Sequence, residues 1–352
     1  MKISNMKIIL SGIMLLSMLT ACENQPIEFD DFGMTACYFP YQTPARTIIL
    51  GKYDEGFNDN DNLRQFEIGV VMTGVYTNKE DRKVYFEPDT TLMSNISNVK
   101  YLPSTHYTIE TASPVIIPKG DTKGRILVKL TDAFFNDPKS VSSFFVYGVA
   151  PVCNYAIPLK ITSVEKLDSI LVGSPIVANP NRNVATDWKV LPRDYTLFAV
   201  KYINKYHGNY LRRGADKLIN ATTDEVKGIK IYSNQIVERC EVAKAQTLSL
   251  SSVTLPNTIR RYNAPDGGPL PLRVEFASDN TCVIYHNVTN DQIGTGKLVE
   301  NGDMWGGKSR DVIYLDYAYT DVPRNEKHVV KDTMVIRDRA IGFETFIPTL
   351  VP

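Results

Sequence analysis

The 352-residue chain carries 39 basic and 39 acidic side chains, so its formal net charge is zero. Proteins that bind nucleic acid concentrate positive charge against the phosphates, and this even balance therefore predicts no nucleic-acid partner. Hydrophobic residues make up 43% of the sequence, which is ordinary for a globular protein, and the length favours two domains.

The first 21 residues have the three parts of an export signal. Lys2 and Lys7 are basic, residues 8–19 form an apolar run, and Leu19-Thr20-Ala21-Cys22 follows. A membrane-spanning helix needs about 20 apolar residues, so this run is too short to span. The segment resembles a bacterial lipobox. We therefore predict a signal peptide over 1–21 and lipid attachment to Cys22; an ordinary secretory signal with a chance cysteine is the alternative.

Residues 22–34 are predicted to form an acidic tether. Glu23, Glu28, Asp30 and Asp31 lie in this stretch, and no basic residue lies between Cys22 and Arg46. The leader resembles the surface-export signal of Bacteroidetes lipoproteins, which implies a lipid anchor in the outer membrane and a protein facing the exterior. A flexible, solvated segment explains the composition equally well.

Residues 35–173 have the pattern of an antiparallel β-sandwich. Runs rich in Val, Ile, Thr, Tyr and Phe are separated by Gly, Pro, Asn and Asp, and residues 124–131 alternate between polar and apolar. Several short strands at close spacing predict an immunoglobulin-like fold. The predicted strands are 65–74, 83–87, 106–110, 124–131, 143–149 and 156–164.

Residues 174–187 are rich in Pro and Asn, lack periodicity and are predicted to be a linker. Residues 188–352 resume the strand pattern. Eight strands can close into a sheet without exposed edges, so we predict an all-β chain whose second domain is a lipocalin-like antiparallel barrel, with a second sandwich as the alternative. Its predicted loops include 263–268 and 301–307. Its predicted strands are 195–205, 228–233, 236–243, 272–277, 281–286, 296–300, 312–320 and 331–337.

Four cysteines follow Cys22, namely Cys37, Cys153, Cys240 and Cys282. An even number outside the cytoplasm permits disulfides, and pairing Cys37 with Cys153 and Cys240 with Cys282 would keep each bond within one predicted domain. Buried thiols are the other interpretation, because cysteine is among the most buried residue types.

Several segments resemble two-domain lipoproteins of Bacteroidetes. They are IPKG at 117–120, LTDAFF at 130–135, DSIL at 168–171, DWKVLPRDYTLFAVKYINKYHGNYLRRG at 187–214 and DTMVIRDR at 332–339. In that family an immunoglobulin-like domain of unknown function precedes a β-domain of unknown function. Such proteins are encoded with glycan-uptake systems. The resemblance implies a polysaccharide or oligosaccharide ligand, and a TonB-dependent transporter and its lipoprotein lid as further partners.

The sequence contains no recognisable catalytic motif. It lacks a Gly-x-Ser-x-Gly elbow, a His-Glu-x-x-His pair and a phosphate loop, and no Cys/His spacing suggests zinc. We therefore predict a non-enzymatic protein without cofactor or metal, and the resemblance implies that its function is glycan binding. The first alternative is an adhesin or assembly protein that binds a protein partner. The second, less favoured, is a glycoside hydrolase whose two catalytic carboxylates belong to no recognisable motif.

Two places offer side chains suited to sugars. Trp305 lies in a glycine-bearing segment, where an exposed ring would stack on a sugar. The segment 206–214 supplies the other candidates, Tyr206, His207, Tyr210, Arg212 and Arg213. Aromatic rings match the C–H faces of sugars, and the polar groups match their hydroxyls. The competing interpretation is structural, with Trp305 folded back and the Tyr and Arg side chains closing one end of the barrel.

Overall fold

The computed structural model describes residues 30–141, 153–256 and 270–351. The signal peptide, Cys22, most of the tether, the predicted strand 143–149 and the predicted loop 263–268 lie outside these ranges. Strands dominate the described chain, and the two α-helices have four and five residues. No helix among the described residues has both the length and the apolar character needed to cross a bilayer.

The strands are β1 Ala36–Tyr38, β2 Pro44–Ile49, β3 Gln65–Thr73, β4 Arg82–Pro88, β5 Lys100–Tyr101, β6 Tyr107–Ile109, β7 Val115–Ile117, β8 Lys123–Leu130, β9 Tyr155–Glu165, β10 Ser169–Ile170, β11 Ser174–Pro175, β12 Trp188–Val190, β13 Tyr195–Ile203, β14 Gly208–Asn220, β15 Val226–Tyr232, β16 Glu241–Thr247, β17 Ser252–Leu255, β18 Leu272–Phe276, β19 Thr281–His286, β20 Gln292–Trp305, β21 Lys308–Asp321, β22 Glu326–Asp338 and β23 Glu344–Thr345. The α-helices are α1 Asp59–Asn62 and α2 Asp132–Asn136, and short 3-10 turns cover Thr90–Met93, Ser104–His106, Pro138–Ser140, Ala185–Asp187, Val237–Arg239 and Val322–Arg324.

The N-terminal module is a sandwich of two sheets. One sheet has the order β10-β1-β3-β8-β6, and the other has the order β23-β2-β13-β9-β4-β7 with β5 on β9. Alternate residues of β3 and β8 are buried, including Ile68 and Ile126, and they pack against Ile157 from the other sheet. The alternation predicted for these strands is confirmed.

The predicted boundary between the domains needs correction. We predicted that the second domain spans 188–352, but β13 pairs with β9 and β2, so it is a central strand of the sandwich. Both faces of β13 are covered, by the sandwich core on one side and by a cluster around Leu92 and Val99 on the other. Burial on both sides gives a nearly continuous apolar run, which does not reveal the sheet that a strand joins.

The C-terminal residues also belong to the sandwich. β23 pairs with β2, and Ser97 donates from its backbone N–H to the Thr349 carbonyl at 2.9 Å. The chain therefore leaves the sandwich after β13, forms the second module and returns. The second module is inserted into the first.

The second module is an antiparallel barrel of eight strands, as predicted. β14 and β16 to β22 follow one another around the sheet, and β22 pairs with β14 from Asn220↔Glu326 to Asn209↔Asp338 to close it. β15 lies outside the closed ring and pairs with the distal half of β14. The interior is filled by large side chains such as Leu272, Ile284 and Leu315, so the barrel has a packed core.

All four cysteines in the described residues are buried free thiols. Burial raises the pKa of Cys37 and Cys282 to about 12 and that of Cys153 to about 11. These three thiols are therefore protonated at neutral pH, and neither suggested disulfide forms.

Candidate functional site

The two modules meet around Arg339, which immediately follows β22. Its guanidinium donates to the carbonyls of Leu50 at 3.1 Å and Lys52 at 2.6 Å, both from the sandwich. It also donates to the carbonyls of Asn204 at 2.6 Å and His207 at 2.9 Å, where the chain enters the barrel. Arg339 is 5% exposed, and burial lowers the pKa of its guanidinium. One buried cation thus holds backbone from both modules.

A cavity of about 490 Å³ opens beside this junction, and we call it the interdomain cleft. Its size lies within the range of about 300–1,000 Å³ that is typical of small-molecule sites, which favour domain interfaces. The sandwich contributes the ends of β2 and β13, and the barrel contributes β16 and the start of β14. Its polar lining residues are Thr47, Lys139, Asn154, Lys201, His207, Asn209, Lys244, Gln246, Thr247, Thr254 and Glu344, and its larger apolar ones are Pro138, Val141, Ile203, Leu248 and Ile341.

His207 presents a neutral imidazole to the cleft. The backbone N–H of Thr247 donates to its Nδ1 at 3.1 Å, so the ring proton resides on Nε2. Burial, reinforced by the positive charges of Arg339 and Lys201, lowers the pKa of His207 to about 3. His207 can therefore donate one hydrogen bond to a ligand without carrying charge.

Lys201 and Glu344 form an ion pair in the wall of the cleft. Lys201 is 3% exposed, although it lies on the otherwise apolar strand β13, and Glu344 belongs to the returning strand β23. Glu344 is the single carboxylate among the described lining residues. The pair joins the two elements that complete the sandwich and places one matched charge pair at the site.

Of the predicted binding residues, only His207 lines the interdomain cleft. Tyr206, Tyr210 and Arg212 are buried inside the barrel. Tyr206 stacks on Phe276 with ring centroids 3.7 Å apart, and the Tyr210 hydroxyl donates to the Tyr206 carbonyl at 2.7 Å. Such burial removes these three side chains from any surface that a glycan could reach, so the structural interpretation of them applies.

Arg212 belongs to a polar layer in the barrel interior. Its Nη2 donates to Asp332 Oδ2 at 2.5 Å, and the Tyr317 hydroxyl donates to the same oxygen at 3.1 Å. Tyr232 donates to the other carboxylate oxygen of Asp332. The layer fixes the register of β14, β21 and β22 against one another.

Trp305 and Arg213 lie on the outer wall of the barrel, away from the cleft lining. Residues 301–305 continue β20, and the hairpin turns at Gly306 and Gly307, so the predicted loop 301–307 is mostly strand. Trp305 is half-buried over Val312 and Val335, its Nε1 donates to the Ile336 carbonyl at 2.7 Å, and Arg310 lies 4.4 Å above its ring. Arg213 forms an ion pair with Asp303.

Most of the cleft lining carries no signal in the sequence. Asn154, Gln246 and Glu344 come from three distant segments, and none belongs to a local motif. One signal was available. Lys201 interrupts the apolar run of β13, and a lysine is buried only when it is paired or functional.

Two protein-family descriptions match the chain. A domain of unknown function (DUF5627) matches residues 205–340, and a family described as an N-terminal domain matches residues 30–168. The first range coincides with the barrel as the structure delimits it. Among curated proteins, none matches the sequence.

The chain is also similar to solved structures from Bacteroides. A protein of unknown function from Bacteroides ovatus is 34% identical, with 90% of this chain and 100% of that chain covered and a TM-score of 0.80. A multidomain protein including DUF1735 from Bacteroides ovatus is 13% identical, with 87% and 96% covered and a TM-score of 0.40. An auxiliary nutrient binding protein from Bacteroides thetaiotaomicron is 12% identical, with 85% and 95% covered and a TM-score of 0.36.

The first of these structures matches over its full length at an identity that establishes common descent, and the two matched families divide the chain as its two modules do. The chain therefore belongs to the same family of two-domain Bacteroides proteins of unknown function as that Bacteroides ovatus protein.

Proposed function

We propose that this protein is a lipid-anchored lipoprotein of the outer cell surface that binds a glycan without cleaving it. The interdomain cleft is the proposed binding site, and it is the observation that carries the proposal. Hydroxyl, amide, uncharged imidazole and three lysine side chains line it beside apolar walls, and this combination suits a ligand with many hydroxyls and C–H faces.

Recognition in the cleft would depend on hydrogen bonds. The described lining contains no Phe, Tyr or Trp ring, so the stacking predicted from Trp305 and Tyr206 has no counterpart there. Gln246 is half-buried and supplies both a donor and an acceptor, whereas the amide of Asn209 is held by its hydrogen bond to Asp338 at 2.6 Å. His207 supplies a donor of fixed tautomer. A polymer with many repeats would strengthen such shallow contacts through multivalency.

The charges in the cleft favour binding over hydrolysis. A glycosidase needs two carboxyl groups, about 5 Å apart for retention or about 6.5–9.5 Å for inversion. The described lining holds Glu344 alone, and Lys201 neutralises it. This arrangement supports a non-enzymatic role for the site.

The proposed location depends on Cys22. The several acyl chains of a bacterial lipoprotein anchor a protein firmly to a membrane. The tether would then hold the two modules near a TonB-dependent transporter and its lipoprotein lid. Cys22→Ala should abolish processing and release the protein from the membrane fraction, and a variant that remains processed and membrane-bound would contradict the anchor.

Calorimetry against a panel of oligosaccharides and polysaccharides tests the glycan proposal. Gln246→Ala should weaken binding about tenfold, because the loss of one hydrogen bond costs about 1–1.5 kcal/mol. Gln246→Trp, which fills the cleft, should abolish binding. Gln292→Ala, an exposed glutamine outside the cleft lining, serves as the matched control. Absence of binding across the panel would contradict the function, and binding that survives Gln246→Trp would contradict the site.

A protein partner is the second candidate function, and β15 is the observation that favours it. This strand lies outside the closed barrel, and its residues Val226, Ile229 and Ile231 are 49%, 56% and 74% exposed. An apolar strand at a sheet edge can accept a strand from a partner. The double variant Ile229→Thr and Ile231→Thr should reduce the amount of one outer-membrane protein that co-purifies with this protein. An unchanged amount would exclude β15 as the partner-binding surface.

A further inference from the structure

Two carboxylates face each other at the end of the barrel farthest from the interdomain cleft. Asp321 ends β21 and Glu326 begins β22, and the two residues are direct partners across the ladder. Like charges directly opposite one another are destabilising in a sheet. Along each strand, Asp321 shares the inward face with Tyr319, and Glu326 shares it with His328, because successive side chains alternate. Both carboxylates therefore lie over the barrel interior.

His328 lies directly beneath this pair and is 1% exposed. Its Nδ1 bonds Asp216 Oδ2 at 2.7 Å, and its ring stacks on Tyr319 with centroids 4.5 Å apart and planes within 3°. The ring is thus held in position from two sides. With its proton on Nδ1, the neutral imidazole presents a bare lone pair at Nε2.

The Nε2 atom of His328 has no hydrogen-bond partner among the residues that the structure describes. It points to Glu326, whose Oε2 lies 3.9 Å away, too far for a hydrogen bond. A buried nitrogen without a partner costs free energy, so its surroundings require an explanation. A cation between the imidazole and the carboxylates supplies one.

We propose that Asp321, Glu326 and His328 form a binding site for a divalent transition-metal ion, with Zn²⁺ as the best-fitting ion. One ligand atom from each residue lies within 4.8 Å of the others. Tetrahedral zinc with bonds of ~2.1 Å needs ligand atoms about 3.4 Å apart, which small rotations of the two partly exposed carboxylates can provide. An imidazole nitrogen favours zinc over Mg²⁺ or Ca²⁺, which prefer oxygen ligands alone.

The residues around the site fit this assignment. A histidine that ligates a metal usually donates its other N–H to a carboxylate, which orients the ring, and Asp216 is placed to accept that hydrogen bond. Lys227 lies 3.5 Å from Glu326 Oε1 and leaves Oε2 on the side of His328. Arg324 lies 3.7 Å from Asp321 Oδ2, but its side chain is 43% exposed, so a bound cation can displace this weak pair. Water would complete the coordination from the open side.

Bound zinc would join β21 to β22 and, through Asp216, to β14. It would neutralise the facing carboxylates and satisfy the buried imidazole. The site lies at the opposite end of β22 from Arg339, so it is independent of glycan binding.

Titration of the chelator-treated, purified protein with ZnCl₂ by calorimetry tests this proposal. We expect saturation at one ion per chain. Asp321→Asn and Glu326→Gln should each weaken binding about tenfold or more, and His328→Gln should abolish it. Mg²⁺ as the probe should bind at least about tenfold more weakly than Zn²⁺.

The matched control is Asp316→Asn. Asp316 lies on β21 as well, but it is exposed and pairs with Lys331 on the outer face, so its replacement should leave zinc affinity unchanged. Glu326→Gln removes a like-charge contact, so without metal its Tm should be no lower than that of the wild type. Zinc should raise the Tm of the wild type and Asp316→Asn by more than that of Glu326→Gln. Absence of saturable zinc binding, equal affinity in Glu326→Gln and wild type, or equal affinity for Mg²⁺ would each overturn the assignment.

Discussion

The polar side chains inside the barrel are arranged in complementary pairs. Arg212 faces Asp332, and Asp216 faces His328, all four buried. Loss of one member would leave an uncompensated group in the interior, which costs more than the pair itself contributes. The Tyr and Arg residues of segment 206–214 therefore serve the fold first. Their types alone could not reveal this, because aromatic rings and guanidinium groups also suit a sugar site.

His207 gives the protein a pH dependence in the acid range. Because its pKa falls from an ordinary 6.5 to about 3 on folding, the unfolded chain binds the proton more readily between these values. Stability should therefore be complete above about pH 6.5 and decline as pH falls toward 3. At pH 5 the free energy of unfolding should be lower by ~2 kcal/mol because of this group.

Urea unfolding at pH 7 and pH 5 measures this effect. His207→Gln, which cannot titrate, should lose less stability between the two pH values than the wild type. His286→Gln, at a partly buried position outside the cleft lining, is the control and should behave as the wild type does. Equal losses in His207→Gln and wild type would show that His207 is not the titrating group.

At the scale of elements, close strand approach shapes the barrel. A Cβ on Gly294 of β20 would meet the Asp316 carbonyl oxygen at 2.3 Å and the Tyr317 Cα at 2.6 Å. A Cβ on Gly69 of β3, in the sandwich, would meet nothing within 4 Å. Both residues lie within strands, so the comparison isolates the crowding in the barrel wall.

Gly294→Ala should lower the free energy of unfolding by about 1–3 kcal/mol, because backbone must move to admit the methyl group. Gly69→Ala should be neutral or stabilise by up to about 1 kcal/mol, because alanine restricts the unfolded chain. Chemical denaturation of both variants gives the two values. A Gly294→Ala protein as stable as Gly69→Ala would contradict the close packing of β20 against β21.

Alternation predicted most single strands, since one buried face leaves a period of two in β3, β8, β18 and β19. It missed β14, and it predicted β13 as a strand without revealing its partners. The inward face of β14 carries Arg212 and Asp216, so the apolar signal is missing, and β13 is apolar on both faces, so its partners are hidden. The interdomain cleft was harder still, because Gln246 on β16 of the barrel and Glu344 on β23 of the sandwich line one cavity only once the two modules are joined.

At the scale of the whole molecule, the barrel is attached to the sandwich by two chain crossings, near Asn204 and Arg339. Two adjacent connections restrict rotation of one module against the other far more than a single linker does. Arg339 binds carbonyl groups on both sides of this junction. We therefore expect Arg339 and the two connections to hold the shape of the cleft between the modules.

Arg339→Met should lower stability by about 3 kcal/mol or more, since four carbonyl oxygens lose a charged donor. It should also separate the thermal unfolding of the two modules into two transitions in calorimetry. Arg337→Met is the control. Arg337 pairs with neighbouring Asp338 and is partly exposed, so this variant should keep one transition. A single, unshifted transition in Arg339→Met would contradict the role of Arg339 as a clamp.

The insertion of the barrel also dictates an order of assembly. Synthesis delivers β2 early, yet the strand that covers its outer edge, β23, emerges only after the entire barrel, since Pro44 pairs with Thr345. Until then β2 presents an open row of backbone groups to any neighbouring chain. A nascent chain stalled within the barrel would be prone to self-association, and the pairing of Glu344 and Thr345 with Ala45 and Pro44 covers this end of the edge once the barrel is complete.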